Sequence, residues 1–154
     1  YDLNSLFAGP YFNQAMEELL IKTKCRFEHR TPTHIVGIES RGFVLGSVLA
    51  HAMKLPFVMV RKKGAKYPGE LLEQSYALEY GSATLTLQTG LLGHTDRCII
   101  ADDLVATGGS VLATKNLIEQ TGASVLGIST VIDLKYVRDE PLHLDMAYLE
   151  RVVT

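Results

Sequence analysis

The chain contains 154 residues, of which 47% are hydrophobic and 21% are charged, and its formal net charge is −2. This composition excludes a globally disordered chain, and the length predicts a single domain over residues 1–154 that buries a substantial core. The acidic balance argues against a protein that coats nucleic acid, and no apolar run reaches the ~18–20 residues of a membrane span.

The two cysteines, Cys25 and Cys98, lack the CxxC spacing of metal and redox motifs. We expect both to be reduced thiols, as is usual in cytosolic proteins. The five histidines are scattered without metal-ligand spacing. Because no signal-peptide pattern opens the sequence, a cytoplasmic location is expected.

The first half of the chain predicts alternating helices and strands. Apolar residues at helical spacing indicate two helices, and short continuous apolar runs indicate two buried strands. In chain order these are helix 11–23, strand 35–38, helix 43–52 and strand 56–60. Residues 61–74 are polar, basic and aperiodic, which predicts a long loop of the kind that often carries function.

The second half begins with two short β-like segments, 76–80 and 84–88, which flank Gly81 and Ser82 and predict a hairpin. Strand 97–101, helix 110–120, strand 124–132 and strand 146–153 follow. The whole order predicts an α/β fold with a mostly parallel central sheet flanked by helices. Ligands of such sheets bind beyond the carboxyl ends of the strands, so functional residues are expected at those positions.

Residues 98–110 combine a buried strand, two carboxylates and a glycine-rich turn that opens a helix. The glycines allow the backbone to approach an anion, and the helix-start N–H groups can bind it together with the hydroxyls of Thr107 and Ser110. Asp102 and Asp103 repel phosphate, so we expect them to face sugar hydroxyls or a magnesium ion. The segment therefore predicts a site for a phosphorylated sugar. The alternative is an ordinary turn with Ser110 as a helix N-cap.

Residues 102–110 resemble the phosphoribosyl-pyrophosphate (PRPP) signature of the type I phosphoribosyltransferase family, in the form typical of its adenine-specific members. Residues 37–43 resemble the pyrophosphate-binding turn of that family, residues 61–69 its basic loop and residues 75–81 its flexible catalytic loop. The four segments occur in family order. The resemblance covers residues 1–135 and implies the type I fold, with a flexible catalytic loop and a small, here truncated, N-terminal hood.

The resemblance also implies a role for each matching position. Asp102 and Asp103 would bind the ribose hydroxyls, and Glu79 and Tyr80 would act in catalysis. The remaining implied positions are Ala106, Thr107, Gly108, Gly109 and Ser110 for the 5′-phosphate, Ser40, Arg41, Lys62 and Lys66 for pyrophosphate, and Leu134 for the base. No direct protein ligand to a metal is predicted.

Arg41 follows a predicted strand at the edge where a ligand would lie, and a guanidinium binds phosphate oxygens bidentately. The alternative is a solvated surface arginine. The resemblance also implies a non-proline cis peptide bond between Glu39 and Ser40.

The basic loop carries Arg61, Lys62, Lys63 and Lys66, a local positive field that would stabilise departing pyrophosphate. The family commonly has Gly-Lys-Leu-Pro here, whereas this chain inserts Ala65 and replaces the Leu by Tyr, which leaves open which lysine contacts the phosphates.

For Glu79, the family role is acceptance of the proton from adenine N9, while Tyr80 would exclude water from the reacting centre. Strand alternation alone predicts instead that Glu79 is exposed on a strand and Tyr80 packs inward.

The implied function is a purine salvage enzyme that converts adenine and PRPP to AMP and pyrophosphate, with Mg²⁺ bound mainly through PRPP. The family implies a homodimer, and no nucleic-acid or membrane partner is expected. Two alternatives stay open: a transferase for xanthine, hypoxanthine or orotate, and a non-catalytic PRPP-sensing regulator.

Overall fold

The structure is a computed structural model that describes residues 1–154. It contains four helices and seven strands. In chain order these are α1 (Leu3–Ala8), α2 (Phe12–Phe27), β1 (His34–Ile38), α3 (Arg41–Met53), β2 (Phe57–Lys62), β3 (Leu71–Ala77), β4 (Ser82–Gln88), β5 (Arg97–Val105), α4 (Gly109–Gln120), β6 (Ser124–Leu134) and β7 (Asp145–Val152). Short 3₁₀ turns follow α2 at Glu28–Arg30 and β6 at Lys135–Val137.

The seven strands form one sheet in the order β3-β4-β2-β1-β5-β6-β7. Strands β2, β1, β5, β6 and β7 are mutually parallel, while β4 pairs antiparallel with both β2 and β3. The predicted mostly parallel sheet flanked by helices is therefore confirmed. The parallel arrangement brings the carboxyl ends of β1, β2, β5 and β6 to one edge, where ligands of such sheets bind.

Each face of the sheet has its own hydrophobic cluster. Ile35 and Ile99 pack beneath α2 and α3, whereas their neighbours Val36 and Ile100 pack on the α4 side. This alternation explains why the central strands are apolar at nearly every position. Cys98 lies in the α4-side cluster, and burial raises the pKa of its thiol to about 12.

Helix α1 was not predicted, and α2 ends four residues later than expected, at Phe27. Helix α1 has only six residues, and its N-terminus is capped by Asp2, whose Oδ1 accepts from the Ser5 N–H at 3.1 Å. In α2 the buried position after Leu19 is Thr23, a polar residue whose hydroxyl donates to the Leu19 carbonyl at 2.7 Å. The hydrogen bond allows the Thr23 hydroxyl to be buried. In the sequence, a polar residue at this position indicated the end of the apolar face, and so the helix was predicted to end there.

Two predicted boundaries near the site were wrong. The loop expected over residues 61–74 is shorter, because β2 extends to Lys62 and β3 begins at Leu71. The half-buried face of β3 carries Gln74 between Leu72 and Tyr76. This polar residue interrupts the alternation of apolar and polar side chains that indicates a strand. Strand β5 does not end before the two carboxylates but continues to Val105, so Asp102 and Asp103 lie within it. No helix combines the length and hydrophobicity needed to cross a membrane.

Candidate active site

Two adjoining clefts open at the carboxyl edge of the sheet. The first, here called the acidic cleft, has a volume of about 580 Å³ and contains the predicted residues Ser40, Arg41, Lys62, Asp102 and Asp103. The second, here called the glycine-loop cleft, has a volume of about 600 Å³. The predicted residues on its wall are Glu79, Ala106, Thr107, Gly108, Gly109 and Ser110. Tyr76, Leu104 and Ser110 line both clefts, so the two clefts adjoin along these residues.

The acidic pair lies at the floor of the acidic cleft. Asp103 is only 4% exposed, and its Oδ2 lies 2.6 Å from Arg41 Nε. The contact is an ion pair, although Oδ2 receives no hydrogen bond of acceptable direction. Asp102 Oδ1 accepts from the Asp103 N–H at 3.0 Å. Burial, followed by the negative charge of Asp103, raises the pKa of Asp102 well above its ordinary value.

The raised pKa of Asp102 predicts that this carboxylate destabilises the folded chain at neutral pH. Between the unfolded and folded pKa values the native state binds the extra proton, so stability falls as pH rises through that interval. We expect Asp102→Asn to raise the melting temperature at pH 7. The difference should shrink as pH falls toward the ordinary carboxyl pKa of about 3.9. Thermal unfolding across pH measures this effect.

Asp139→Asn is the matched control for the loss of one negative charge, because Asp139 is exposed and outside both clefts. An Asp102→Asn variant that is less stable than the parent at pH 7 would contradict the prediction.

The turn between β1 and α3 brings Ser40 and Arg41 into the acidic cleft. The predicted cis peptide bond between Glu39 and Ser40 is confirmed. Glu39 Oε2 accepts from the Lys62 N–H at 2.8 Å, which ties this turn to the end of β2. A Cβ at Gly42 would lie 2.7 Å from the Ala101 carbonyl oxygen, so only glycine lets α3 start this close to β5.

The four cationic side chains of the basic loop have different surroundings. The Arg61 guanidinium lies over the Tyr67 ring at 5.4 Å, and Lys63 Nζ pairs with Glu73 Oε2 at 3.2 Å. Lys62 and Lys66 have no ion-pair partner. Lys62 lines the acidic cleft, whereas Lys66 is exposed and lines neither cleft. The structure thus distinguishes two lysines that the sequence left equivalent.

The glycine-loop cleft presents backbone donors at the start of α4. Gly108 adopts φ +88°, a left-handed conformation that glycine adopts without steric cost, and serves as the N-cap residue. Ser110, the alternative cap, lies inside the helix, and no side chain caps α4. The N–H groups of Thr107 and Gly108 donate no hydrogen bond within the protein. Free N–H groups and the positive end of the helix dipole suit an anion such as phosphate.

Glu79 and Tyr80 lie in the turn between β3 and β4, where the Leu78 N–H donates to the Gly81 carbonyl at 3.0 Å. The alternative in which Glu79 lies on a strand and Tyr80 packs inward is wrong. Glu79 lines the glycine-loop cleft, while Tyr80 is 88% exposed and lines neither cleft.

Leu134, at the end of β6, is buried in the α2–α3 cluster and lines neither cleft. Its predicted contact with a base stays a prediction.

Eight residues that line the clefts had no predicted role: Asn4, Ile38, Glu39, Tyr76, Ala77, Leu78, Leu85 and Leu104. Tyr76 is the most informative of them. A Cβ at Gly109 would lie 3.0 Å from its ring, so Tyr76 packs directly on the start of α4. Burial, and then the charge of Asp102, raises the pKa of Tyr76. The period-2 pattern of β3 was the available signal, because it points Tyr76 to the same face as Leu72.

Comparison with known proteins places this geometry in a family. Residues 2–152 match the model of the phosphoribosyl transferase domain. The chain is 44% identical over 134 residues to an adenine phosphoribosyltransferase of Synechococcus sp. (strain CC9605), a match that covers 87% of this chain and 76% of that protein. This chain belongs to the adenine phosphoribosyltransferase family.

Solved structures of that family share the fold. The adenine phosphoribosyltransferase of Rhodothermus marinus superposes with a TM-score of 0.84 at 37% identity, covering 98% of this chain and 85% of that one. The Saccharomyces cerevisiae enzyme superposes with a TM-score of 0.82 at 36% identity, covering 88% and 77% of the two chains. The yeast protein was solved in complex with adenine and an imino-altritol bisphosphate. The predicted type I phosphoribosyltransferase fold is thereby confirmed.

Proposed function

We propose that this chain is a purine salvage enzyme that transfers the phosphoribosyl group of PRPP to adenine, producing AMP and pyrophosphate. The supporting observation is that a donor-rich glycine loop, a buried acidic pair and a cationic turn line two adjoining clefts at the same edge of the sheet. A molecule with a phosphate at one end, a diol in the middle and a pyrophosphate at the other end matches that order of groups.

In this proposal the N–H groups of residues 106–110 and the hydroxyls of Thr107 and Ser110 bind the 5′-phosphate. Asp102 and Asp103 accept hydrogen bonds from the ribose hydroxyls. Ser40, Arg41 and Lys62 bind pyrophosphate as its negative charge grows during departure. Lys66 joins them only if the loop at residues 63–70 moves toward the cleft.

Glu79 accepts the proton that adenine N9 loses as the new bond to the anomeric carbon forms. Its place on the wall of the glycine-loop cleft supports this role. Tyr80 would cover the reacting centre and exclude water, which requires the exposed turn to close. Leu134 remains the predicted base contact.

Magnesium is part of the proposal and would be held mainly through PRPP, because Mg²⁺ usually binds one or two carboxylates together with substrate phosphates, and Asp102 and Asp103 line the acidic cleft. When bound, Mg²⁺ neutralises charge on the departing pyrophosphate. A homodimer is also part of the proposal, supported by the exposed apolar side chains of Val44 and Met59 beside the pyrophosphate turn. A cytoplasmic location is supported by the two free cysteines.

Product formation with PRPP, Mg²⁺ and each base in turn tests the proposal. We expect AMP from adenine and no nucleotide from xanthine, hypoxanthine or orotate. Turnover of one of those bases instead would move the assignment to another transferase. PRPP binding without turnover of any base would make the chain a PRPP sensor.

The two unpaired lysines provide a sharper test of the pyrophosphate site. We expect Lys62→Ala to raise the KM for PRPP about tenfold or more, the cost of one charged hydrogen bond. Lys66→Ala should have a smaller effect, because Lys66 lines neither cleft. Steady-state kinetics with varied PRPP measures both. A larger effect at Lys66 would show that the basic loop folds over the substrate.

A further inference from the structure

A buried carboxylate lies behind the glycine loop. Asp133, at the end of β6, is 0% exposed. Arg138 donates to its Oδ1 from Nη2, and Arg151 donates to its Oδ2 from Nε at 2.6 Å. A buried carboxylate is costly unless it is paired and hydrogen-bonded, and here both oxygens have a cationic donor.

Only one of these two arginines reaches the glycine loop. The Arg138 side chain is 7% exposed, and its Nη1 donates to the Ala106 carbonyl at 2.8 Å and to the Val105 carbonyl at 3.4 Å. Arg151 instead lies on the Tyr148 ring at 4.1 Å and is one-third exposed. The guanidinium of Arg138 therefore bridges the fixed carboxylate and the backbone of the loop.

That bridge determines which way the loop donors point. A trans peptide is planar, so the N–H of Thr107 lies on the side opposite the Ala106 carbonyl. Holding the carbonyl from behind turns this N–H toward the cleft, where it is free of protein partners. Leu142 leaves no room for a side chain at position 108, because a Cβ at Gly108 would collide with the Leu142 side chain.

We propose that Arg138 is a positioning residue for phosphate binding, anchored by Asp133 and acting through the Ala106 carbonyl. Arg138 does not contact the substrate. It keeps the Thr107 N–H in the orientation that a phosphate needs, so this donor is organised before the ligand arrives. The inference rests on the proposed function in one respect, that the glycine loop binds the 5′-phosphate of PRPP.

The test compares Arg138→Lys and Arg138→Met with Arg151→Met. Lysine keeps a positive charge beside Asp133, which guards against a simple failure to fold, but it cannot bridge the carboxylate and the carbonyl as a planar fork does. Arg151→Met is the matched control, since it removes a partner of the same carboxylate without touching the loop. Circular dichroism and thermal unfolding show which variants are folded.

For both Arg138 variants we expect the KM for PRPP to rise about tenfold or more, with the KM for adenine unchanged. The Kd of ribose 5-phosphate, measured by calorimetry, should rise in parallel. Arg151→Met should stay within roughly threefold of the parent in both measurements.

Wild-type phosphate affinity in a folded Arg138→Lys protein, or equal losses in Arg138→Met and Arg151→Met, would overturn the proposal. The calorimetry also separates it from the proposed function. If the parent protein turns over no base, the proposed transferase activity is refuted. If Arg138→Lys nevertheless weakens ribose 5-phosphate binding relative to that parent, the positioning role is retained.

Discussion

Glu79→Gln is expected to lower kcat about 10²- to 10⁴-fold, the usual contribution of one positioned general base. Glutamine keeps the size of the side chain and can still accept a hydrogen bond, but it cannot take the proton from adenine N9. Glu79 lies in the exposed turn between β3 and β4 and is not paired with any cation, so the substitution should leave the fold intact. Because Glu79 lines the glycine-loop cleft without belonging to the loop, the KM for PRPP should change little.

Steady-state AMP formation gives kcat and both KM values, and Glu70→Gln is the matched control. Glu70 precedes the same hairpin, is exposed and lines neither cleft, so its replacement should be silent. A kcat for Glu79→Gln near that of the parent would transfer the proton acceptor role to another group. An unchanged kcat with a raised KM for adenine would make Glu79 a base-binding residue.

The central sheet was predictable because its strands are buried on both faces. Runs such as Ile35-Val36 and Ile99-Ile100 carry a local signal, and the order of strands and helices leaves few topologies. The glycine loop was predictable for a related reason. The turn that opens α4 is marked by residues adjacent in the sequence, above all Gly108 at positive φ before the first turn of the helix.

Contacts between distant parts of the chain were not predictable. Arg138 reaches Ala106 across 32 positions, and the Glu39 carboxylate reaches the Lys62 N–H across 23. Neither contact has a spacing or a periodicity that a single sequence reveals. The same reason explains why Lys62 and Lys66 looked alike: residues 61–74 have no periodicity, and only the pairing of Lys62 with β4 separates it from the loop that carries Lys66.

Arg41→Met is expected to weaken PRPP binding and to destabilise the fold, through two different interactions of one side chain. The pyrophosphate group of PRPP would lose its contact with the Arg41 guanidinium, which should raise the KM for PRPP about 10- to 100-fold. Asp103 would lose its cation while it remains buried beside Asp102. Since Arg41 is itself 47% exposed, the stability loss should stay below the roughly 3–5 kcal/mol typical of a fully buried pair.

The second interaction can be isolated, because the ion pair requires both partners. In an Asp103→Asn background and without PRPP, Arg41→Met should cost little further stability. Arg26→Met is the control, because it replaces an exposed arginine of α2 and should leave stability unchanged in either background. Chemical unfolding of the four proteins of this cycle measures the coupling. Equal losses with and without Asp103 would mean that Arg41 stabilises the fold by some other contact. A stability loss that appears only when Asp103 is present would show that Arg41 stabilises the fold through its ion pair with this buried carboxylate, separately from its role toward pyrophosphate.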